Sequence, residues 1–532
     1  MKMLASWLQS IPPEFWTGIL PWLQAAFFIL VFFFLLTCIR GPGFTGKKAA
    51  KGSAYRMFFA GLTAIMVLLL AYQSTWQLAG FVRPDFVEFM KRYNRRPGNP
   101  AEKIVRGSIL DRYGIELALA DPDFPARRWY PGGAAFAHVI GYEDRFYGLA
   151  GVEAAEDATL NGATRSTGAE WQQFGRNLMV RDALRGHDVT LTIHAALQRE
   201  ADRLMRGRKG AVVMLDPRDG ALLVVHSSPG FDPNKLQSTL FERRDDDARL
   251  LNRALHGLYP PGSTFKVLVA AAALEQGLDP VYNDPAEGVR FGTGNRPIRD
   301  HEYYDHERRG KVWRGHGQLD MRMALLKSSN TYFARLGVAT GGEHLTEIAD
   351  RCGFNRGWMV MQGSSAPVQS KSASFTALGA DDIAKTAQRS IGQGDMLVTP
   401  LHMALLAAAI GRGGAMPEPT LEYPVKDVMP TQVMRENTAL RLAGMMRNTV
   451  AQGSARVADI SGLEVAGKTG TAQNPRGEDH GWFIGFAPER NARLAFAVVI
   501  EHGGFGSQSA APVAAGLLKK AVELGWFNGE IR

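Results

Sequence analysis

The sequence predicts an α/β (α+β) domain built on one antiparallel sheet with flanking helices, carried behind an N-terminal part that enters a membrane. Three observations predict it. Strand-length apolar runs lie at both ends of residues 188–532 with helical stretches between them, so the first and last strands are expected to share a sheet. Two much longer apolar runs stand near the N-terminus. A polar segment rich in turn formers, Tyr93-Asn94-Arg95-Arg96-Pro97-Gly98-Asn99-Pro100, follows the second of them.

The first long run spans residues 15–39 and centres on Phe27 to Leu36; the second spans 57–80 and holds Val67-Leu68-Leu69-Leu70. Each is long enough to cross a hydrocarbon core of about 30 Å as a helix. Trp16, Trp22, Tyr55, Tyr72 and Trp76 stand near the ends, where amphipathic rings prefer the interface. Arg40, Lys47, Lys48, Lys51 and Arg56 lie between the runs without an acid, so this short loop is expected to stay cytoplasmic. Everything beyond about residue 81 is then extracytoplasmic, on the outer side of the cytoplasmic (inner) membrane.

The chain of 532 residues fits two or three domains, and its 45% apolar and 21% charged shares are those of globular protein. Its 61 Lys+Arg exceed its 52 Asp+Glu, but no basic run with interleaved aromatics appears. Nucleic acid is therefore not an expected partner; an anionic bilayer or wall polymer accounts for the charge. Two cysteines, Cys38 in the first apolar run and Cys352 in the polar body, make no disulfide framework.

Residues 81–187 give few clear periodicities. The pattern sharpens from 188 onward: Val189 to Ile193 reads as a strand, Ala195 to Met205 as a helix, and Gly210 to Asp216 with Ala221 to Val225 as a hairpin around Arg218-Asp219-Gly220. Val267 to Gln276, Met321 to Lys327 and Pro400 to Ile410 read as helices. Near the end, Trp482 to Phe486 and Leu494 to Ile500 form a strand pair, and Pro512 to Leu524 a last helix.

Three motifs point to chemistry. Ser263 is the chain's one Ser with a Lys three residues on, and Ser328 its one Ser with an Asn two residues on; Lys468-Thr469-Gly470 occurs once. Pro260-Pro261-Gly262 ends a loop and Ser263 opens an apolar helix, so Lys266 lies on the same face, within reach of the Ser263 hydroxyl. A serine needs a base to become a nucleophile, and a lysine serves once its pKa falls toward neutrality. Ser328 can pass a proton toward a leaving amine, and Asn330 can hydrogen-bond a substrate amide. Lys468-Thr469-Gly470-Thr471 reads as an edge strand. Gly470 leaves room for a substrate backbone, while Lys468 and the threonine hydroxyls suit a carboxylate. This order of motifs is that of the β-lactamases and penicillin-binding proteins.

With Pro260 to Lys266, Lys327 to Asn330, Ser390-Ile391-Gly392-Gln393-Gly394, Gly467 to Ala472, Phe231 to Asn234 and His480 to Phe486, the chain resembles the transpeptidase domain of penicillin-binding proteins. Arg106 to Gly114 and Gly148 to Glu153 resemble the pedestal motifs of the monofunctional class B subgroup. The resemblance implies a penicillin-binding/serine β-lactamase-like transpeptidase fold over 188–532 and a pedestal over 81–187. It implies that Ser263 attacks the D-Ala-D-Ala bond of a peptidoglycan stem peptide, with Lys266 as base and Ser328 as proton shuttle. Lys468 and Thr469 would bind the terminal carboxylate, and the N–H groups of Ser263 and Thr471 would form the oxyanion hole. β-Lactams would acylate the same serine, Arg106 would pair with Glu153, and the natural partner would be a polytopic lipid-II polymerase of the shape, elongation, division and sporulation family.

A serine β-lactamase and a non-catalytic β-lactam receptor or scaffold are the competing readings. The first lacks a pedestal and has an apolar residue in place of Asn330; the second should have lost a catalytic residue, and none is missing here. Glu143 to Tyr147 is similar to an acidic glycosyltransferase motif, but no second motif of that kind follows. His301-Glu302 and His306 are spaced one residue too far for a metalloprotease helix. The loop from Asp284 to His316, with His301, Asp305 and His306, reads as a charged segment over the cleft, so neither a metal nor a cofactor is expected.

Overall fold

The computed structural model describes residues 61–69, 104–121, 127–162, 184–242, 247–292, 296–474 and 477–528. The expected span at 15–39 lies outside these residues. Of the one at 57–80, residues 61–69 are described and are helical. Among the described residues no helix is long and apolar enough to cross a membrane. Residues 100–532 group together as one unit, separate from 1–99.

Five strands make the central sheet: β1 (Gly210–Leu215), β2 (Leu222–Ser228), β3 (Ala466–Ala472), β4 (His480–Ala487) and β5 (Leu494–Ile500). Their order is β2-β1-β5-β4-β3, and every neighbouring pair is antiparallel. The first strand of the domain therefore pairs with the last, Val212 opposite Val498, as the placement of apolar runs predicts. Both sheet faces are covered, so the strands read as continuous apolar runs instead of alternating ones. Val212, Met214, Phe483, Phe496 and Val498 face α1 (Ala195–Met205) and the C-terminal helix Ala510–Glu523. Ala211, Val213, Trp482, Ile484, Ala497 and Val499 belong to the larger core. That core also contains α2 (Lys266–Glu275), α3 (Met321–Lys327), α4 (Asn330–Thr340) and α5 (Pro400–Gly411). Lys266 to Leu274 are all buried along α2, and every residue of α5 is buried.

The expected strand over 189–193 is shorter. Val189–Thr190 pairs in parallel with Ile109–Leu110, and the chain then leaves that register, with Leu191 bridging to Glu422. The reason is Asp111: its carboxylate accepts from Ala195 N at 3.1 Å as well as from Tyr113 N and Ile115 N, so α1 starts against the strand Ile109–Leu110 and its turn. Glu116–Ala120 and Arg128–Trp129 complete this small sheet.

One carboxylate organises the region between residues 106 and 161. Glu153 is fully buried and accepts from Arg106 Nε at 2.7 Å and Arg128 Nε at 2.6 Å. Arg106 also donates to Asp157 at 2.6 Å and to Asn161 at 3.0 Å. The resemblance foresees the Arg106–Glu153 pair; Arg128, far from either motif, completes it. Replacing Glu153 by Ala leaves the buried Arg128 guanidinium without a carboxylate and Arg106 with Asp157 alone. The full chain should lose about 3–5 kcal/mol of stability in denaturant titration; a loss below about 1 kcal/mol would show that water replaces the carboxylate.

Candidate active site

The site lies where the start of α2, the α3–α4 junction and the edge strand β3 meet. Ser263 sits in a 3-10 turn, Gly262–Phe265, that runs directly into α2, so the helix that the sequence predicts is preceded by a tighter turn. Ser263 is half-buried, and its hydroxyl makes no hydrogen bond among the described residues. The turn is held from two sides. Gly262 adopts φ +53°, its N–H donates to Gly392 O at 3.1 Å, and a Cβ on it would meet Thr471 O at 2.5 Å. A Cβ on Gly392 would stand 1.7 Å from Gly262 O, which explains the glycine in Ser390-Ile391-Gly392-Gln393-Gly394. Gly470 differs from the sequence reading. A Cβ there would meet Thr264 at 2.8 Å, so its missing side chain makes room for the serine turn, not for a substrate backbone.

Ser328 ends α3 in the left-handed region, φ 58°, and Ser329 caps α4 through Tyr332 N at 3.1 Å, which makes Asn330 the first residue of that helix. Lys266 is fully buried, and its ammonium donates to Ser328 O at 2.6 Å, Asn330 Oδ1 at 2.7 Å and Ser328 Oγ at 3.3 Å. Lys468 is also buried and donates to the same Ser328 Oγ at 3.0 Å and to Thr469 O at 2.9 Å. The structure thus brings Lys266, Ser328, Asn330 and Lys468 into direct contact and packs the Ser263 turn on β3. Thr469 is bonded to Ser454 Oγ at 2.6 Å, while Thr471 is half-exposed on the free edge. Asn330 Nδ2 donates to Arg299 O at 2.9 Å, so its amide is engaged on both sides and keeps one N–H for a ligand.

Burial pushes the Lys266 ammonium down to about 7, against the opposing pull of the Asp300 and Glu302 carboxylates. Burial, with the charge of Lys266 next to it, holds Lys468 well below its ordinary value. Asp300 is a functional residue that no motif marks. Its carboxylate accepts from Asn330 N and, at 3.1 Å each, from Thr331 N and Ser329 Oγ, pinning the start of α4. Burial and the neighbouring Asp284 raise it to about 6. Asp284 accepts from Thr331 Oγ1 and from His316 N at 2.8 Å. Asp284, Asp300 and His316 offer ligand atoms within 4.8 Å of one another, so they are the described residues that could hold a cation. His301, Asp305 and His306, grouped with His316 in the sequence, sit on the exposed helix His301–Arg308 instead.

A variant tests this field. In 15N spectra of lysine-labelled protein, the Lys266 amine should titrate near 7. Asp300→Asn removes an anion that favours the ammonium, so the midpoint should fall. An unchanged or higher midpoint would show that the Asp300 charge does not act on Lys266.

Comparison with known proteins fits this geometry. A family model described as the penicillin binding protein transpeptidase domain matches residues 210–519, and one described as the penicillin binding protein A dimerisation domain matches 106–189. The peptidoglycan D,D-transpeptidase PbpA of Mycolicibacterium smegmatis is 32% identical over 516 residues, covering 89% of this chain and 99% of that one. The D,D-transpeptidase MrdA of Acinetobacter baumannii is 29% identical, covering 73% and 65%. Among solved structures, the ceftriaxone acyl-enzyme complex of penicillin-binding protein A from M. tuberculosis superposes with a TM-score of 0.69 at 28% identity, over 79% of this chain and 99% of that one. Pseudomonas aeruginosa PBP2 in complex with WCK 5153 gives 0.64 at 29%, over 80% and 98%.

Proposed function

The chain belongs to the penicillin-binding protein transpeptidase family, and from that premise we propose that Ser263 is the nucleophile through which it cross-links peptidoglycan stem peptides. It is a serine-type D-Ala-D-Ala transpeptidase and a target of β-lactams. One observation carries the assignment of roles: the Ser328 hydroxyl is held between two buried lysine amines, 3.3 Å from Lys266 and 3.0 Å from Lys468, beside the turn that bears Ser263.

The chemistry follows from that arrangement. Lys266, neutral above about pH 7, takes the Ser263 proton as Oγ attacks the carbonyl of the penultimate D-Ala. The oxyanion is met by the N–H groups of Ser263 and of Thr471 on the free edge of β3. Ser328, hydrogen-bonded to both amines, relays a proton to the departing D-Ala nitrogen, and the peptide bond breaks to leave an ester on Ser263. Thr469, Thr471 and Lys468 hold the donor's terminal carboxylate. An amine from a neighbouring strand then attacks the ester, loses its proton along the same relay, and returns the serine. β-Lactams enter at the first step, and their ring nitrogen stays attached to the acyl group.

The domain arrangement belongs to the same proposal: spans at 15–39 and 57–80, a pedestal over 81–187 and the transpeptidase domain over 188–532, facing outward from the cytoplasmic membrane. The acid-free basic loop between the two apolar runs and the helical 61–69 segment support it. A polytopic lipid-II polymerase remains the proposed partner, because a transpeptidase needs glycan strands to act on. Gln73, Ser74, Thr75 and Gln77 near the outer end of the second span suit a helix–helix contact.

Two measurements test the roles. Ser263→Ala should abolish covalent labelling by a fluorescent penicillin in a folded protein, and Lys266→Ala should slow it roughly 10²–10⁴-fold; undiminished labelling of the serine variant would refute the nucleophile. The base must be unprotonated, so the acylation rate should fall about tenfold per pH unit below pH 7 and level off above it. A rate flat from pH 5 to 9 would exclude Lys266 as the base.

A further inference from the structure

A cavity of about 420 Å³ opens beside the cleft, and no step above uses it. One wall is the segment with Phe291, Arg296 and Ile298; the other is the helix Ile383–Ser390, with Lys385 and Gln388, and the turn at Gly394. Both walls are anchored to catalytic segments. Ile298 precedes Arg299, whose carbonyl holds Asn330 Nδ2 at 2.9 Å. Gly394 follows Gly392, whose carbonyl holds Gly262 N at 3.1 Å. No residue of β3 lines the cavity; it is bounded instead by the segments tied to Asn330 and to the serine turn.

Its chemistry is specific. Arg389, also in the lining, is neutralised internally: its guanidinium binds Asp395 twice, at 2.8 and 2.9 Å, and donates to Thr376 O. Two cations in the lining remain. Arg296 is exposed and has no partner among the described residues, and Lys385 is exposed and makes one surface pair, 3.1 Å from Asp382. The same lining holds buried Ile298 and half-buried Phe291. Cations beside apolar side chains fit an aliphatic chain that ends in a carboxylate.

We propose that this cavity is the acceptor subsite, where Arg296 and Lys385 bind a side-chain carboxylate of the stem peptide that supplies the attacking amine. The inference rests on the transpeptidase reading. On the transpeptidase reading the donor lies along β3 with its own carboxylate at Lys468 and Thr469, so the second strand needs a site off β3 and within reach of the Ser263 ester; the cavity has no β3 residue in its lining and adjoins the segments that hold Asn330 and the serine turn. A carboxylate bound there orients the acceptor amine, and the subsite acts only after the ester has formed.

The test uses the full chain, a stem-pentapeptide donor, and two acceptor peptides that differ in one side-chain group, carboxylate or carboxamide. Transfer product is followed by mass spectrometry. The native protein should prefer the carboxylate acceptor. The Arg296→Glu/Lys385→Glu variant should lose about tenfold in kcat/KM with that acceptor, chiefly through KM, and nothing with the carboxamide. Its acylation by penicillin and by the donor should be unchanged. Equal losses with both acceptors, no loss at all, or slowed acylation by the donor would each overturn the proposal, the last by moving the subsite to the donor. If the native protein acylates but transfers to no amine, the transpeptidase reading itself fails, and the subsite with it.

Discussion

Two buried lysines share one serine hydroxyl, and most of the architecture around the site serves to make that possible. An ammonium taken out of water is costly unless it is hydrogen-bonded or gives up its proton. Lys266 meets the cost with three acceptors from the α3–α4 junction and a pKa near 7. Lys468 uses the same hydroxyl and a backbone carbonyl. The three groups come from positions 266, 328 and 468, so no local segment can assemble them. The sheet, the helices and the turns have to hold them in register.

The supports are visible one by one. Ser328 occupies a left-handed conformation that lets α3 stop and α4 start with only Ser328 and Ser329 between them, and Asp300 fixes the new helix by gathering its first N–H groups. That carboxylate and Glu302 also pull the Lys266 amine toward its charged form, against burial, while the charge of Lys266 pushes the Lys468 amine the other way. On the opposite side, Gly262, Gly392 and Gly470 allow three backbones to approach more closely than any Cβ would permit. Asp111 contributes from the small sheet by accepting from the first N–H of α1, so the small sheet and the helix that packs on the central sheet meet at that helix end.

Much of this was legible in the sequence, because apolar runs and motif spacing are local properties. The pairing of β1 with β5 followed from apolar runs at the two ends of the domain, and the bounds of α1 and α3 from their periodicity. Ser263, Lys266, Ser328, Asn330 and Lys468 were named by motif, and four of them prove to be in contact. What could not be read is what depends on contacts distant in sequence. Asp300 and Asp284 look like ordinary loop acids until α4 is seen to rest on them. Gly470 reads as space for a ligand, yet the space is filled by Thr264. Arg128 carries no signal of its partnership with Glu153, and the strand at 189 ends early because Asp111 captures the next helix. The one available signal for Asp300 was its position at the end of a charged stretch, just before a helix rich in His and Glu.

If Ser263 is the nucleophile, a single hydroxyl of the protein becomes covalently loaded. Intact-mass analysis of the full chain after exposure to penicillin, followed by peptide mapping, should show a mass increase of one intact penicillin that persists over many minutes and maps to the peptide containing Ser263 and Lys266. An adduct on another residue, or rapid release of hydrolysed penicillin with the protein returned to its original mass, would contradict it.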